Sequence, residues 1–515
     1  KELFEVQHYP DLRSTPNGPP IRPYDVAGWT LPLQMGVEVA QVLMPVTPEQ
    51  RGGLQRIDKV TRPAGGVEGT GSVYMLSRRA NASFQVINDV LEKGGKIGFA
   101  STGPDAGSAV ISGVDRAELN GIAAARSVPV QAVTKAPENV TAARKPRVGL
   151  YRSWVPNIDE GWTRWILENY GFAPITLRNG DIQAGHLLER FDAIILPDAS
   201  ARQITNGFAV GSIPGEYAGG VGDAGMEALR VFVRGGGTLI AFNNASQFAI
   251  EALSLPVTDV LAGLNNDQFY CSGSLLRVEL SDTNHPALWG LPRDPVVMFE
   301  NGPAFETKPN FHGVVLATYS RERNPLASGY LLHPEAIQGK DAAVEVFYGS
   351  GRVYLYGFRP QWRGQSHGTY KFVFNAIYDS PSAAKPTSFQ KVDAPLSAQS
   401  DDWGRATAKI HADLASLLHQ NQAFAAAKGG KAVEERAKLA AAVDQFEQED
   451  IPLAEDAVLG LPEASRRKGS EYVRQLRLVA AALRGREFEA GLGVEGLMEK
   501  YRLTEIETGV SGSRP

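Results

Sequence analysis

Short apolar runs alternate with amphipathic segments through the middle of the chain. Between residues 145 and 380 this pattern predicts strands at 148–151, 175–177, 191–198 and 238–242, separated by helices at 157–172, near 184–188 and at 225–237. A strand pair around a Gly-Ser-Gly turn follows at 342–361, and a closing helix follows at 369–378. Strands that alternate with helices favour a parallel sheet covered on both faces, so we predict an α/β domain over 145–380.

The flanking regions have different patterns. Residues 52–144 contain a strand at 71–77, a helix at 82–95 and a strand at 96–101, which predict a smaller α/β unit with a less regular remainder. Residues 1–51 form a proline-rich connector, in which four apolar residues are expected to pack on a neighbouring domain: Trp29, Leu31, Leu33 and Met35. Because the chain starts within this connector, we expect an upstream segment to precede it.

The C-terminal part is predicted to be helical. A linker rich in serine, proline and alanine spans residues 381–400. Residues 401–515 then have apolar side chains at helical spacing, and the first helix places five of them on one face: Trp403, Ile410, Leu414, Leu417 and Leu418. This pattern fits a helical bundle or a helical hairpin.

Composition and charge exclude several functional classes. The 515 residues are 43% hydrophobic and 21% charged, with a net charge of −5. We predict no membrane span, since no apolar run is long enough, and no nucleic-acid partner, since no basic stripe with aromatic residues is present. The single cysteine, Cys271, excludes an internal disulfide framework and a two-cysteine metal site, and is expected to be a buried thiol.

The segment Gly235–Phe248, GGGTLIAFNNASQF, predicts a strand, a tight turn and a helix start. In many α/β enzymes such a turn raises a nucleophile above the sheet and directs backbone N–H groups at the substrate. Here the raised position is Asn243 or Asn244, and neither side chain is a nucleophile.

The domain over 145–380 resembles the class I glutamine amidotransferase fold, a flavodoxin-like fold. That family has a catalytic cysteine in G-[IV]-C-x-G-x-Q and a histidine and glutamate in F-H-P-E. AFNNASQ at 241–247 and FRPQ at 358–361 match these patterns, but Asn243, Arg359 and Gln361 stand at the three catalytic positions. An amide cannot attack a carbonyl, and a guanidinium cannot act as a base near neutral pH. The resemblance therefore implies a degenerate triad and a domain without amidotransferase activity.

A literal His-Pro-Glu sequence, His333 to Glu335, is the alternative histidine–glutamate pair. A further strand pair and the closing helix follow it, so it stands in the wrong place for that fold. We interpret His333 as an exposed loop histidine.

Three segments together resemble the C-terminal half of large secreted bacterial zinc carboxypeptidase-like proteins: PIRPYDVAGWTLPLQMGV, KPRVGLYRSW with DEGWTRW, and GFRPQWRGQSHGTYKFVFNAI. The resemblance implies a periplasmic or extracellular location and an N-terminal peptidase domain or fragment as partner. Zinc is expected only in that upstream domain, and no cofactor or metal site is expected in this chain; His8, His333 and His411 have no glutamate three residues on.

Polar residues at the predicted carboxyl edge of the sheet are candidate ligand-binding residues, because open α/β sheets bind ligands there. The set comprises Asp159, Glu160, Asn243, Asn244, Arg359, Arg363 and His367. The structural alternatives are that Asp159 caps the helix that follows it, and that Arg359 is paired with Glu160 or Asp198.

The sequence thus favours a non-catalytic C-terminal module of a secreted zinc carboxypeptidase-like protein. Its expected role is scaffolding, assembly, including assembly with a second copy of itself, or binding of a substrate or surface. One alternative is that it belongs to an active metallocarboxypeptidase whose catalytic domain is a separate N-terminal segment. The other is an enzyme with a new site at the sheet edge, formed by Asp159, Glu160, Arg359 and His367.

Overall fold

The computed structural model describes residues 2–380 except 17 and 293, and residues 396–506 except 460, 462, 486–493 and 505. The chain divides into two compact units, Lys1–Pro386 and Thr387–Pro515. Each unit has its own buried hydrophobic core. The predicted linker falls largely on 381–395, outside the described residues, but its last five residues already belong to a helix.

The connector contains two short helices, α1 (Leu31–Met35) and α2 (Pro48–Gly52). It is attached to the rest of its unit by polar contacts: the Ser328 hydroxyl lies 2.8 Å from both Thr30 Oγ1 and Gln7 Oε1. Of the four predicted apolar anchors, Leu33 packs against a cluster with Met298 and Trp362. Trp29 is 41% and Met35 39% exposed, so these two side chains are only partly covered.

The small unit has six strands and two helices among the described residues: β1 (Gly66–Gly69), β2 (Val73–Leu76), α3 (Ala82–Glu92), β3 (Lys96–Ala100), β4 (Ala109–Ser112), α4 (Arg116–Arg126), β5 (Pro129–Val133) and β6 (Val140–Ala143). The sheet order is β1-β5-β2-β4-β3-β6, and four of its five pairings are antiparallel. The run β2-α3-β3-β4-α4-β5 is a ferredoxin-like split βαβ arrangement. The region expected to be less regular is therefore as ordered as the predicted strand–helix–strand part.

The large domain begins with elements that alternate as predicted: β7 (Val148–Tyr151), α5 (Ile158–Asn169), β8 (Ile175–Leu177), α6 (Asn179–Gln183), α7 (Leu187–Arg190), β9 (Ala193–Leu196), α8 (Ala201–Asn206), α9 (Gly222–Arg234), β10 (Thr238–Phe242) and α10 (Ala245–Leu253). The helix expected near 184–188 is two short helices, α6 and α7, because Gly185 at φ +72° and His186 at φ +55° interrupt the helical backbone.

An antiparallel extension follows: β11 (Val257–Asp259), β12 (Ser274–Leu280), β13 (Val296–Phe299), β14 (Phe305–Thr307), β15 (Gly313–Tyr319), β16 (Leu326–Ser328) and β17 (Asp341–Tyr348). The strand β18 (Gly351–Tyr356) then returns to the parallel part, and α11 (Tyr370–Tyr378) closes the domain. Of this region, the strand pair β17–β18 and the closing helix α11 correspond to the elements predicted at 342–361 and 369–378.

The parallel centre of the large sheet has the order β8-β7-β9-β10-β18. Numbered along the chain, this is 2-1-3-4-5, the flavodoxin-like order. Every residue of β7, β9 and β10 is buried, as expected for strands covered on both faces. The predicted fold class, a parallel-sheet flavodoxin-like domain with a smaller α/β unit and a helical C-terminal region, is confirmed.

Two hydrophobic cores cover the two faces of this sheet. One contains residues of α9 and α10, including Phe232 and Phe248. The other continues without interruption into the small unit. There the Phe374 ring of α11 lies 5.0 Å from both the Phe84 ring of α3 and the Phe172 ring. The small unit and the large domain therefore share one core.

The C-terminal unit consists of helices α12 (Leu396–Ala426), α13 (Gly430–Gln445), α14 (Ile451–Leu459), α15 (Glu463–Gly485) and α16 (Val494–Lys500), with a π-helical turn at Phe446–Asp450. The five residues predicted to share one face of the first helix are all buried. They belong to a core that also includes Tyr472, whose ring centroid lies 5.3 Å from that of Trp403. In the described part of the chain, no helix is long and apolar enough to cross a membrane.

Candidate functional site

The turn between β10 and α10 has the geometry of a nucleophile elbow. Asn243 adopts a left-handed conformation with φ +52°, is fully buried, and donates its backbone N–H to Tyr356 O at 2.7 Å. Asparagine is among the non-glycine residues that accept this conformation most readily. Gly302 packs directly on the Asn243 amide, since a Cβ there would lie 2.1 Å from Asn243 Oδ1. The backbone therefore has the shape of a nucleophile elbow, but the side chain at the raised position, Asn243, is an amide.

Asp198, which follows β9, is bound to this elbow by an extensive set of hydrogen bonds. Its Oδ1 accepts from Asn243 Nδ2 at 3.0 Å, from Asn244 Nδ2 at 3.1 Å and from the Asn244 backbone N–H at 2.9 Å. In an active elbow, the N–H that follows the nucleophile donates to the oxyanion of the intermediate. Here the corresponding N–H, that of Asn244, already donates to the Asp198 carboxylate.

Arg359, in the histidine position of the family pattern, lies among three carboxylates. Its Nη2 is 2.7 Å from Asp198 Oδ2, and its Nη1 is 2.9 Å from Glu300 Oε2 and 3.4 Å from Asp159 Oδ2. The Arg359 side chain is 15% exposed, and the carboxylates are 7–18% exposed. The structure thus shows the ion pair with Asp198 that was the structural alternative for Arg359. We call Asp159, Asp198, Glu300 and Arg359 the sheet-edge cluster.

Glu300 reaches the cluster from the antiparallel extension. Successive antiparallel pairings give β13 the same direction as β18, so both strands end at the same edge. The Arg359 backbone N–H donates to Met298 O at 3.1 Å, which joins the two strand ends. Trp362 Nε1 donates to Glu300 Oε2 at 2.8 Å and fixes this carboxylate further.

Asp159 does not cap α5, contrary to the sequence interpretation. Asn157 is the N-cap, and its side-chain oxygen accepts from the backbone N–H groups of Asp159 and Glu160. The Asp159 side chain instead accepts from Gln361 Nε2 at 3.1 Å. Burial is the main cause that raises the pKa of Asp159, to about 6; Arg359 opposes this shift, and the neighbouring carboxylates of Asp198 and Glu300 reinforce it.

The other predicted ligand residues make contacts elsewhere. Glu160 pairs with Arg164 at 2.6 Å. Arg363 is exposed, with its guanidinium 4.9 Å from the Trp362 ring centroid. His367 stacks on Tyr370 at 4.9 Å, and burial is the main cause that lowers the pKa of its imidazole. The structure therefore brings Asp159, Asn243, Asn244 and Arg359 together. The other three predicted residues, Glu160, Arg363 and His367, do not contact this group.

The remaining candidate residues lie apart from the cluster. His333 is 46% exposed and pairs with Glu335 at 2.8 Å, so it is the exposed loop histidine of the sequence interpretation. Cys271 is buried, and burial raises the pKa of its thiol to about 12.

The H-x-x-E spacing of the zinc carboxypeptidase pattern does occur once, at His186 and Glu189, which the sequence reasoning passed over. The two side chains lie 3.0 Å apart and are 67% and 74% exposed. Among the described residues, no group of three or more histidine, cysteine, aspartate or glutamate side chains fits a metal ion. The arrangement therefore does not fit the zinc site of that family.

Sequence reasoning named Asp198 only as a possible partner of Arg359, not as the group bound to the elbow, and it missed Glu300. Asp198 is the last residue of the strand predicted at 191–198, which is the signal that could have placed it at the edge. Glu300 carries no such signal, because β13 was not predicted and its direction follows only from the antiparallel pairings.

No protein-family model matches the sequence, and no curated protein matches it. Solved structures similar to part of the chain include a protein from Bacteroides uniformis described as ThuA-like, with 13% identity, a TM-score of 0.30, and coverage of 48% of this chain and 98% of the other. A cytoplasmic protein from Salmonella typhimurium has 14% identity and a TM-score of 0.30, with 45% and 97% covered. A Thermoplasma acidophilum protein described as part of a GMP synthase has 11% identity and a TM-score of 0.28, with 44% and 92% covered. We assign the fold class from the strand order of the large sheet.

Replacing Asp159 by asparagine is expected to stabilise the protein above about pH 6, by about 3 kcal/mol. The folded pKa of Asp159 is raised to about 6, above the value of about 3.9 in an unfolded chain. The folded state therefore holds this proton more tightly, and ionisation of Asp159 lowers stability as the pH rises from about 4 to about 6. Urea unfolding across this pH range measures the effect.

The control for this experiment is Asp58→Asn, because the Asp58 side chain is 74% exposed. Its stability difference from the wild type should be small and independent of pH. A loss of stability in Asp159→Asn near pH 8 would contradict the prediction, since it would mean that the Arg359 pairing outweighs the burial of the charge.

Proposed function

We propose that the chain is a non-catalytic module in which the former active-site edge of a flavodoxin-like domain has become a structural ion cluster. Its role is scaffolding, assembly or surface binding, as part of a secreted zinc carboxypeptidase-like protein. The family part of this proposal derives from the sequence resemblance alone.

One observation carries the non-catalytic proposal: Asp198 occupies the backbone donor of the elbow. Its Oδ1 accepts from the Asn244 N–H at 2.9 Å, while its Oδ2 accepts from Arg359 Nη2 at 2.7 Å. A substrate oxyanion at this place would have to displace a carboxylate that is 12% exposed and paired with a guanidinium. Moreover, Gln361 lines a crevice whose interior has no room for a water molecule. Both features support an edge that is filled by the protein's own side chains.

The test of the non-catalytic proposal is an assay of the purified full chain for ammonia release from L-glutamine and for release of C-terminal residues from peptides. We expect no release above that of heat-denatured protein. Activity that disappears in a folded Asp159→Asn or Arg359→Gln variant would place catalysis at the sheet-edge cluster and would overturn the proposal.

The proposed peptidase link has a separate test, denaturing intact-mass spectrometry of protein from its native source. A heavier species, or a co-purifying polypeptide with bound zinc and carboxypeptidase activity, would support assembly with a peptidase domain. Detection of this chain alone at its own mass, with no partner, would contradict the link to a peptidase. The proposal of a non-catalytic module would be unaffected.

A second candidate function, an enzyme with a new site at the sheet edge, is favoured by Asp159. Its pKa near 6 is suited to a group that accepts and returns a proton near neutral pH. However, Asp159 is buried, and its two oxygens already face Gln361 and Arg359. The first proposal therefore explains the contacts of this carboxyl group better.

A further inference from the structure

A second region of the N-terminal unit, distant in sequence from the elbow, has the character of a binding site. A cavity of about 250 Å³ lies between the small unit and the large domain, lined by residues of β3, β6, β18 and α11 and of the turn near residue 286. Its aromatic lining includes Phe99, Trp289 and Tyr378, and its charged lining residues are Arg78, Arg352 and Asp379.

Arg78 is the unusual group of this cavity. It is 3% exposed, and its guanidinium lies 4.3 Å from the Phe99 ring centroid and 4.7 Å from that of Trp289. Its Nε donates to Gly107 O and its Nη1 to Asn375 Oδ1, but its Nη2 has no hydrogen-bond partner. Among the described residues it has no ion-pair partner. A buried charge without a counter-ion is costly, so this arginine is an exception that needs an explanation.

The nearby acidic group does not neutralise Arg78. Asp379 Oδ2 is paired with Arg352 Nη1 at 2.6 Å and accepts from the Tyr354 hydroxyl at 2.6 Å. Burial lowers the pKa of Arg78 to about 9, so the guanidinium still carries its charge at neutral pH. Arg352 Nη1 also pairs with the buried Glu345 at 2.7 Å, so both carboxylates near the cavity are engaged by Arg352. Arg78 therefore has no counter-ion of its own among the described residues.

The unsatisfied groups of the lining are all donors. Besides Arg78 Nη2, the buried atoms Trp289 Nε1 and Arg352 Nε have no hydrogen-bond partner. The stacking of Arg78 on the Trp289 ring keeps the guanidinium next to the indole. Water could accept hydrogen bonds here, but it would not serve as a counter-ion for Arg78.

We propose that this cavity binds a small organic carboxylate whose oxygens accept from Arg78 Nη2 and Trp289 Nε1. Because Arg78 Nε and Nη1 are already engaged, the carboxylate would bind through one charged donor, Nη2, and one neutral donor, the indole N–H. A monoanion supplies one counter-charge for Arg78, whereas phosphate carries close to two charges at neutral pH. The volume limits the ligand to a compact molecule, and the aromatic lining favours one with an apolar part. This site is independent of the sheet-edge cluster and of the function proposed for it.

The experiment is isothermal titration of the full chain with benzoate, with benzamide as the neutral analogue and inorganic phosphate as the alternative anion. We expect saturable binding of benzoate, and binding of benzamide and phosphate weaker by about tenfold or more. Absence of saturable benzoate binding, or equal binding of benzamide, would overturn the proposal. Tighter binding of phosphate than of benzoate would overturn the assignment to a carboxylate.

Variants then locate the site. Arg78→Lys is expected to weaken benzoate binding by about tenfold, because a lysine has no planar guanidinium and so does not place a donor where Nη2 lies. Arg79→Met, at the exposed neighbouring residue, is the control and should bind as the wild type. Trp289→Phe keeps an aromatic ring and removes one hydrogen-bond donor, so it should bind benzoate about fivefold more weakly. This variant tests the site if Arg78→Lys does not fold. Unchanged binding in either Arg78→Lys or Trp289→Phe, with folding verified by circular dichroism, would overturn the assigned contacts.

Discussion

Replacing Arg359 by methionine is expected to lower the free energy of unfolding of the N-terminal unit by about 3–5 kcal/mol. The substitution leaves Asp159, Asp198 and Glu300 at 7–18% exposure without the guanidinium that they share. Three buried carboxylates then face one another without a cation. Because protonation relieves this repulsion, the loss should be larger near pH 8 than near pH 5. Denaturant unfolding at both pH values measures it.

The matched control is Arg363→Met, four residues further on, at an exposed side chain. It should change stability by no more than about 0.5 kcal/mol. Equal stability of the two variants would mean that Arg359 is not a structural element, and the edge would then be open to a ligand. The comparison separates a structural cluster from a binding site, since removal of a functional group often raises stability.

Replacing Phe374 by alanine is expected to destabilise the same unit by about 3–5 kcal/mol. The Phe374 ring contacts Phe84 of the small unit and Tyr170 and Phe172 of the large domain, with centroids 4.9–5.0 Å apart. Because these rings belong to one core, the small unit and the large domain should unfold together in a single shifted transition. The transition of the C-terminal helices, which have a separate core, should not move.

Phe4→Ala is the control for this prediction, since Phe4 is 56% exposed. Thermal unfolding followed by hydrogen exchange and mass spectrometry distinguishes the segments. If the small unit kept its protection in Phe374→Ala while the large domain lost it, the shared core would not couple them, and the two would be independent domains.

The parallel strands and the C-terminal helices could be predicted because their signals are local. Fully apolar runs such as AIIL in β9 need no partner to be recognised, and the apolar face of α12 follows from helical spacing. The small unit was only half predicted: β4 and β5 were missed although they are as long as β2 and β3, and β6 was missed because it is largely exposed. Pairing with β2 and β3, rather than their own pattern, makes them strands.

The elbow could likewise be located from GGGTLIAFNNASQF. That the Asp198 carboxylate binds to it could not be predicted. Asp198 and Asn243 are 45 residues apart in the chain, and only the adjacency of β9 and β10 brings them into contact. The cap of α5 was assigned to Asp159 because both Asn157 and Asp159 are suitable cap residues. The choice of Asn157 frees Asp159 to face Gln361 and Arg359, a tertiary preference that the local sequence does not encode.

The connector cannot form its contacts until a distant part of the chain has been synthesised. Gln7 donates its backbone N–H to the Ser328 hydroxyl, a partner 321 residues later in the chain. A ribosome that makes about 5–20 residues each second therefore leaves the connector without this partner for tens of seconds. During that interval Leu33 also lacks Met298 and Trp362, against whose cluster it packs in the folded unit. The helical unit that follows in the chain has contacts that are short in sequence, so it should fold faster than the connector can find its partners.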